Sequence, residues 1–219
     1  MWAPRWRWRL ELWQGGFSMS DMPAGRAVFA FVDIETTGCV YTRGDRICEV
    51  AVLLWQNGRE LDSYNPLINP ARSIPPDVTA KCHGITDDMV RAMPRFEAVA
   101  QRLEQMISGA DAVVCHNADF DVPFMAYEFL RAGLRFPPVA ILDTLKLARK
   151  HGNFKSNRLG NIALELGYSP EGWHRALNDV KMTQRVFAHF VKQFSAEKEV
   201  TLAELAQYQT GGRKHAKTL

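Results

Sequence analysis

Asp33-Ile34-Glu35-Thr36-Thr37-Gly38 ends an apolar run that begins at Val28. Side chains alternate between the two faces of a strand, so Asp33 and Glu35 would share one face. Carboxylates this close repel each other unless a proton or a cation compensates them, and acidic oxygen-rich sites suit Mg²⁺ or Mn²⁺. The stretch predicts a buried strand that ends in a metal site. A strand that runs into a solvated acidic turn is the alternative.

Two further acidic motifs follow along the chain. Asp121 lies in a polar turn behind the apolar residues 113–115, and His174 precedes Asp179 by five positions at the head of a helical pattern. Five residues correspond to about 500° of helix, so these two side chains do not share a face if both are helical. We expect His174 on a loop or first turn, as a mobile base, and Asp179 inside the helix, as a fixed metal ligand.

In this order, the three motifs resemble those of the 3′–5′ exonucleases with the catalytic set Asp, Glu, Asp, His, Asp, known as the DEDDh group. Likeness is greatest to the proofreading epsilon subunits of bacterial DNA polymerase III. It extends over residues 26–194 and includes His83-Gly84-Ile85-Thr86, which is similar to a segment between the first two family motifs. The resemblance implies these catalytic residues: Asp33, Glu35, Asp121, His174 and Asp179.

The resemblance also implies a two-cation mechanism with Mg²⁺ or Mn²⁺. Asp33, Glu35 and Asp179 would hold the first ion, Asp33 would bridge to a second, and Asp121 would support that second ion. Two cations about 3.5–4 Å apart stabilise the attacking and the leaving oxygen of a phosphodiester. His174 would take the proton of the attacking water, since the ordinary histidine pKa of about 6.5 lies near working pH.

Substrate contacts are implied in the same way. The residues expected to hold the 3′ end are Thr36, Thr37, Gly38, His83, Asn117 and Phe120. Phe120 could stack on a base, because aromatic stacking tolerates any sequence, or it could be a core residue beside Phe124. We expect His116 to be structural. A basic segment before the third motif could face phosphates or be an ordinary solvated surface; it contains Lys146, Arg149, Lys150, Lys155 and Arg158.

Periodicity and turn signals predict an α/β fold with a mixed five-stranded sheet flanked by helices. Strands are expected over residues 26–35, 46–56, 60–68, 112–115 and 139–142, with Asn57-Gly58 joining the second and third as a hairpin. Pro94 and Gly109 would bound one helix, and Asp119 would cap another that runs to Arg131. Further helices are expected over residues 144–150, 159–166, 177–192 and 201–209. The resemblance implies that this is the RNase H-like fold.

Composition is that of a globular protein: 219 residues, 47% hydrophobic, net charge +3, with no apolar run long enough to span a membrane. We expect a disordered leader over residues 1–25, an exonuclease domain over 26–194, and a short helix with a flexible basic tail over 195–219. That last helix could bind partners or pack back on the domain. Four cysteines without metal-finger spacing indicate buried thiols in a reducing cytoplasm: Cys39, Cys48, Cys82 and Cys115.

The predicted function is a metal-dependent 3′–5′ exonuclease. It would release nucleoside 5′-monophosphates from single-stranded 3′ ends, with DNA as the expected substrate and a DNA polymerase as a candidate partner. Two alternatives stay open: an RNA-trimming exoribonuclease of the same fold, and a nucleic-acid-binding module that has lost catalysis.

Overall fold

The computed structural model of the protein describes residues 22–168 and 175–210. Within them a five-stranded sheet has the order β3-β2-β1-β4-β5. Its strands are β1 (Phe29–Thr36), β2 (Ile47–Gln56), β3 (Arg59–Tyr64), β4 (Ala112–Cys115) and β5 (Ala140–Asp143). The first three strands pair antiparallel and β4 and β5 add in parallel, so the predicted mixed sheet is confirmed.

The β2–β3 hairpin turns at Asn57-Gly58, as the sequence predicts. Both residues have positive φ, 45° and 80°, which is the backbone that a tight two-residue hairpin turn needs. In the neighbouring pair, β1 aligns with β2 so that Asp33 lies opposite Ala51 and Glu35 lies opposite Glu49. This register brings a third acid, Glu49, beside the first motif.

Helices cover both faces of the sheet. The α-helices are α1 (Pro76–Val78), α2 (Asp87–Val90), α3 (Phe96–Ser108), α4 (Ala118–Arg131), α5 (Thr144–His151), α6 (Leu159–Glu165), α7 (Ala176–Phe194) and α8 (Leu202–Thr210), with a 3₁₀ turn at Tyr41–Arg43 and a π-helical turn at Thr79–His83. The long predicted helices lie within a few residues of their expected positions.

Two apolar cores lie on opposite faces of the sheet. On one face Ala30, Val32 and Ile34 of β1 pack in a cluster with α3 and α4. On the other face Phe29 and Phe31 pack with α5, α6, α7 and α8. The alternation of β1 side chains between these cores is the reason Asp33 and Glu35 point toward the face that α7 covers.

Strand β1 begins at Phe29 rather than residue 26, and two further boundaries differ from the prediction for a clear physical reason. Strand β3 ends at Tyr64 rather than residue 68, because Pro66 has no amide hydrogen to donate; pairing resumes only as an isolated bridge between Glu49 and Leu67. Asp119 does not cap α4. Asn117, at φ 85°, precedes the first helical residue, and Asp119 lies in the first turn with its carboxylate 2.8 Å from Lys146 Nζ.

The prediction of four buried thiols is half wrong. Cys48 and Cys115 lie on strands within the cores and are buried, but Cys39 and Cys82 are exposed. Both exposed cysteines belong to short connecting segments, Cys39 after β1 and Cys82 in the π-helical turn, where the backbone has no apolar layer above it.

Helix α8 packs back onto the sheet edge. Leu202 and Leu205 are buried in the second core, and the Gln209 side chain accepts a hydrogen bond from the Asp143 amide (2.8 Å) and donates one to the Ile141 carbonyl (2.7 Å). The amide group of Gln209 therefore pairs with the outer edge of β5 as a neighbouring strand would.

The predicted leader up to residue 21 and the tail beyond residue 210 lie outside the described residues. None of the helices described here combines the length and apolarity that crossing a bilayer requires.

Candidate active site

The first motif lies at the end of β1, where the strand changes from apolar to acidic. Phe29 and Phe31 precede it on the same face, and their rings lie 4.8 and 5.6 Å from that of Phe187 in α7. These ring contacts hold α7 against β1 directly beside Asp33 and Glu35. Packing in the first half of the strand thus brings the helix over its acidic second half.

Carboxylates from distant parts of the chain converge here. Asp179 lies in the first turn of α7, and one carboxylate oxygen each from Asp33, Glu35 and Asp179 lie within 4.8 Å of one another. Two features of the sequence bring these carboxylates together. Asp33 and Glu35 are two positions apart in β1 and so share a face, and Asp179 lies in the first turn of the helix that covers that face. The residues predicted to hold the first metal ion are therefore neighbours in the fold.

Asp121 reaches the same place from α4. It is 4% exposed, in the first turn of that helix, and its carboxylate accepts hydrogen bonds from its own backbone amide and from that of Ile34 in β1. The parallel pairing of β1 with β4 covers only residues 29–31, so the Ile34 amide lies beyond the paired stretch. Asp121 is thereby fixed on the edge of β1 next to Asp33.

Electrostatics of the cluster favour cations. Burial, followed by repulsion from Asp121, Asp179 and Glu35, raises the pKa of Asp33 well above its usual range. The pKa of Glu35 rises to about 8, again through burial first and then repulsion from Asp179 and Glu49. Burial also raises the pKa of Asp121 strongly, against the effect of its backbone hydrogen bonds. Such a group of acids at neutral pH needs protons or cations to compensate its charge.

The donor set fits a hard divalent ion. Three carboxylate oxygens within 4.8 Å of one another are the ligand type that Mg²⁺ and Mn²⁺ prefer. Repulsion from neighbouring acids adds to burial in raising the pKa values of Asp33 and Glu35, and a bound ion would relieve that repulsion. This acidic cluster can therefore bind a divalent metal ion through Asp33, Glu35 and Asp179.

Of the predicted substrate contacts, Thr36 and Thr37 follow the acids directly and are buried. Thr36 Oγ1 donates to the Gly38 carbonyl at 2.6 Å, and Thr37 Oγ1 accepts from the Arg46 amide at 3.1 Å. These bonds fold the backbone after β1 into a turn beside the carboxylates. Asn117 is exposed at the start of α4. Phe120 is half-buried, its ring 5.0 Å from that of Phe124, an intermediate position between the two alternatives.

His83 is 5% exposed and binds backbone groups of the protein. Its Nδ1 accepts from the Ile85 amide at 3.0 Å, so the ring proton is on Nε2, which lies 3.1 Å from the Thr36 carbonyl oxygen. His83 thus holds the turn that follows Glu35. A direct contact with a nucleotide stays a prediction.

His116 bonds Thr144 Oγ1 (2.9 Å) and the Asn157 carbonyl (3.0 Å), and burial lowers its pKa. His116 therefore connects β4 to the loop after α5, as expected of a structural histidine.

The basic segment lies on α5 and the loop that follows it, with Arg149, Lys155 and Arg158 exposed. His174 itself lies outside the described residues, although Arg175 and the whole of α7 are described.

The sequence interpretation missed two acids. Glu49 is 1% exposed in β2 and binds Arg175; Asp143 is 2% exposed at the end of β5, where it accepts from the Leu145 amide and caps α5. Glu49 had the same signal as Asp33, a charged residue within a strongly apolar strand. Asp143 had the signal of a cap at a strand-to-helix junction.

Acids from β1, α4 and α7 converge beside the α/β sheet, Asp121 buried and the other three half-buried, in an arrangement typical of nuclease metal centres. The family profile described as Exonuclease (RNase_T) matches residues 30–187, so the chain belongs to the exonuclease family.

Known relatives agree with this assignment. The chain is 33% identical over 178 residues to the 3′-5′ exonuclease DinG of Bacillus subtilis, covering 81% of this chain and 19% of the relative. It is 33% identical over 214 residues to a DNA polymerase III subunit epsilon-like protein of Rhodobacter capsulatus, covering 95% and 30%, and 35% identical over 160 residues to a PolC-type DNA polymerase III of Listeria welshimeri, covering 72% and 11%. The chain thus spans less than a third of each of these relatives.

Solved structures agree on the fold. Exonuclease X in complex with 5′ overhanging duplex DNA superposes with a TM-score of 0.61 at 26% identity, covering 81% of this chain and 99% of that one. The nuclease domain of 3′hExo, a DEDDh family member bound to rAMP, gives a TM-score of 0.64 at 18% identity, covering 78% and 94%. The expected RNase H-like fold and the resemblance to DEDDh exonucleases are both confirmed.

Proposed function

We propose that this chain is a metal-dependent 3′–5′ exonuclease that releases nucleoside 5′-monophosphates from single-stranded 3′ ends, with DNA as its substrate. One observation carries the proposal: carboxylate oxygens of Asp33, Glu35 and Asp179 lie within 4.8 Å of one another, with buried Asp121 beside them. Family membership gives this cluster its chemical context.

Each acid then has a proposed role. Asp33, Glu35 and Asp179 would hold one divalent ion, and Asp33 with Asp121 would hold a second. When bound, the ions supply charge stabilisation for the attacking and the leaving oxygen of the phosphodiester. His174, one residue before Arg175, would accept the proton of the attacking water.

The turn after β1 would receive the last nucleotide. Thr36, Thr37 and Gly38 follow the acids directly, and the hydrogen bond from His83 to the Thr36 carbonyl keeps that turn in place. Asn117 is exposed at the start of α4, where it could contact the penultimate nucleotide, and the half-buried ring of Phe120 could stack on a base. A DNA polymerase is the partner class that the names of the relatives suggest, and a cytoplasmic location is the expected setting.

The test uses 5′-end-labelled DNA and RNA oligonucleotides, single- and double-stranded, incubated with Mg²⁺, Mn²⁺ or EDTA. We expect single-stranded DNA to shorten one nucleotide at a time from its 3′ end, only with metal. Asp33→Asn and His174→Ala should each remove most turnover while leaving the protein folded. Cleavage of a circular single strand would contradict an exonuclease. Shortening of RNA alone would favour the exoribonuclease alternative, and inertness toward every substrate would favour a binding module.

A further inference from the structure

Glu49 is a buried carboxylate that the proposed mechanism does not use. It lies in β2 directly opposite Glu35 and is 1% exposed. A carboxylate in such a place is costly unless its oxygens are all bonded. Both oxygens are indeed bonded by groups of the protein, so Glu49 is not free to bind a metal ion itself.

The main partners of Glu49 lie 126 and 127 positions away, at the start of α7. Arg175 Nη2 donates to Oε1 at 2.9 Å, and Arg175 Nε donates to Oε2 at 3.2 Å. The Ala176 amide donates to Oε2 at 3.2 Å, and Asn65 Nδ2 approaches Oε1 at 3.3 Å. This two-pronged ion pair and backbone hydrogen bond fasten the beginning of α7 to β2.

Glu49 also caps the N-terminus of α7. Arg175 is the N-cap residue of α7 and has no side-chain acceptor for the first helical amides. Glu49 supplies that acceptor from strand β2 and places a negative charge at the positive, N-terminal end of the α7 helix dipole. A 19-residue helix thereby begins at a point fixed by β2.

Asp179 depends on this starting point. Its backbone amide donates to the Arg175 carbonyl at 3.2 Å, so it lies one turn beyond the residue that Glu49 holds. His174 is the covalent neighbour of Arg175 on the other side. A shift in the first turn of α7 would move the Asp179 carboxylate away from Asp33 and Glu35.

We propose that Glu49 is a positioning residue: through Arg175 and the Ala176 amide it sets the start of α7, and so places Asp179 in the metal centre. This inference rests on the proposed nuclease function, but its test includes metal binding, which can be read without substrate.

The experiment measures Mn²⁺ affinity by electron paramagnetic resonance titration of the full chain, together with kcat and KM on a labelled oligonucleotide. We expect Glu49→Gln to weaken Mn²⁺ binding about 10-fold or more and to lower kcat by 10- to 100-fold, the usual range for residues that orient metal ligands. KM should change little. Arg175→Lys, which keeps the charge and loses the two-pronged geometry, should give an intermediate effect.

A second variant separates positioning from simple charge. Glu49→Gln leaves the positive charge of Arg175 near Glu35, and that charge alone could repel a cation. The double variant Glu49→Gln/Arg175→Gln restores neutrality while leaving the helix start unfastened, so we expect its Mn²⁺ affinity to stay low. Recovery of wild-type affinity in the double variant would overturn the proposal, because charge alone would then explain the loss.

The matched control is another buried pair, Arg46–Glu128, with Glu128 in α4 at 1% exposure and Arg46 Nε 2.5 Å from its Oε1. Glu128→Gln should lower thermal stability to a similar degree and leave Mn²⁺ affinity within about twofold. Equal losses of affinity in both variants would show a general effect of stability and overturn the proposal. If the wild type binds Mn²⁺ but cleaves no nucleic acid, the proposed function fails while these affinities still decide the role of Glu49.

Discussion

The two faces of β1 differ in what they do, although they belong to the same eight residues. On the α3–α4 face, Ala30, Val32 and Ile34 are all buried and apolar. On the α7 face, Phe29 and Phe31 are apolar but Asp33 and Glu35 replace the hydrophobic residues that would complete the layer. The α3–α4 face packs apolar side chains along the whole strand. On the α7 face apolar packing covers only the first half of the strand, and the second half carries acids.

The acids of the second face also differ among themselves. Glu49 is held by a guanidinium group, whereas burial and like charges dominate around Asp33 and Glu35 and raise their pKa values. Glu49, the proposed positioning residue, has its charge compensated by a cation of the protein itself, Arg175. Asp33 and Glu35, the proposed metal ligands, lie among other acids. Substitutions on the two faces should therefore affect different measurements.

The largest effect is expected from Asp33→Asn. Turnover should fall about 10³-fold or more, because a ligand predicted to serve both ions is lost. In metal-free buffer the variant should be at least as stable as the wild type, since one of several mutually repelling acids is replaced by a neutral amide. Single-turnover rates and thermal unfolding in EDTA measure the two effects. A variant that loses stability along with activity would argue that Asp33 serves the fold.

Leu103→Ala should show the opposite result, lost stability with unchanged turnover. Leu103 in α3 is fully buried in the core under Ala30, Val32 and Ile34. Its truncation should cost about 2–5 kcal/mol of unfolding free energy and leave kcat per folded molecule unchanged. Urea denaturation and active-site titration check the two quantities. A reduced kcat in fully folded protein would show that the two faces are coupled.

Removal of metal should make stability depend on pH. The folded pKa of Glu35, about 8, is above its ordinary value of 4.5, so the folded state holds this proton more tightly than the unfolded state. The stability contributed by the protonated acid is complete below about pH 4.5 and is lost as the pH rises toward 8. In EDTA the unfolding free energy should therefore fall between pH 6 and 8, by up to about 1.4 kcal/mol per pH unit from this group.

Two controls accompany that measurement. Saturating Mg²⁺ or Mn²⁺ should flatten the dependence, because the ions compensate the charge in place of protons. Glu35→Gln should reduce the slope in EDTA, since the titrating group is absent. Stability that rises with pH over this window in the metal-free wild type would contradict the electrostatic description of the site.

Local patterns were sufficient for most of the fold. The alternation in β1, the Asn57-Gly58 turn and the helical spacing of α3 each depend on neighbours in the chain, and each was predicted. Boundaries were wrong where one residue altered the backbone locally: Pro66 interrupts β3, and Asn117 takes the left-handed conformation that begins α4. The parallel order of β4 and β5 required the family resemblance, because periodicity does not encode which strands become neighbours.

Local sequence patterns also predicted part of the candidate site. Asp33 and Glu35 stand out as acids in an apolar strand, and the order of motifs linked them to Asp121 and Asp179. Glu49 had the same signal and was missed, because its meaning depends on Arg175, 126 positions away. A buried charge can be recognised in one sequence, but its partner becomes visible only when the chain is folded.

The smallest effect is expected at the edge of the α7 side, where α8 completes the layer over β5. Gln209→Ala removes two hydrogen bonds to β5 and should cost about 1–3 kcal/mol, since each such bond contributes about 0.5–1.5 kcal/mol. Amide hydrogen exchange tests this locally: the Asp143 amide should lose protection, while the amide of Val32 at the centre of the sheet should keep it. Gln209→Glu, which retains an acceptor for the Asp143 amide and loses the donor to Ile141, should fall between the two. An unchanged exchange rate at Asp143 in Gln209→Ala would show that α8 does not hold this edge, and that the acidic face needs only α5, α6 and α7 above it.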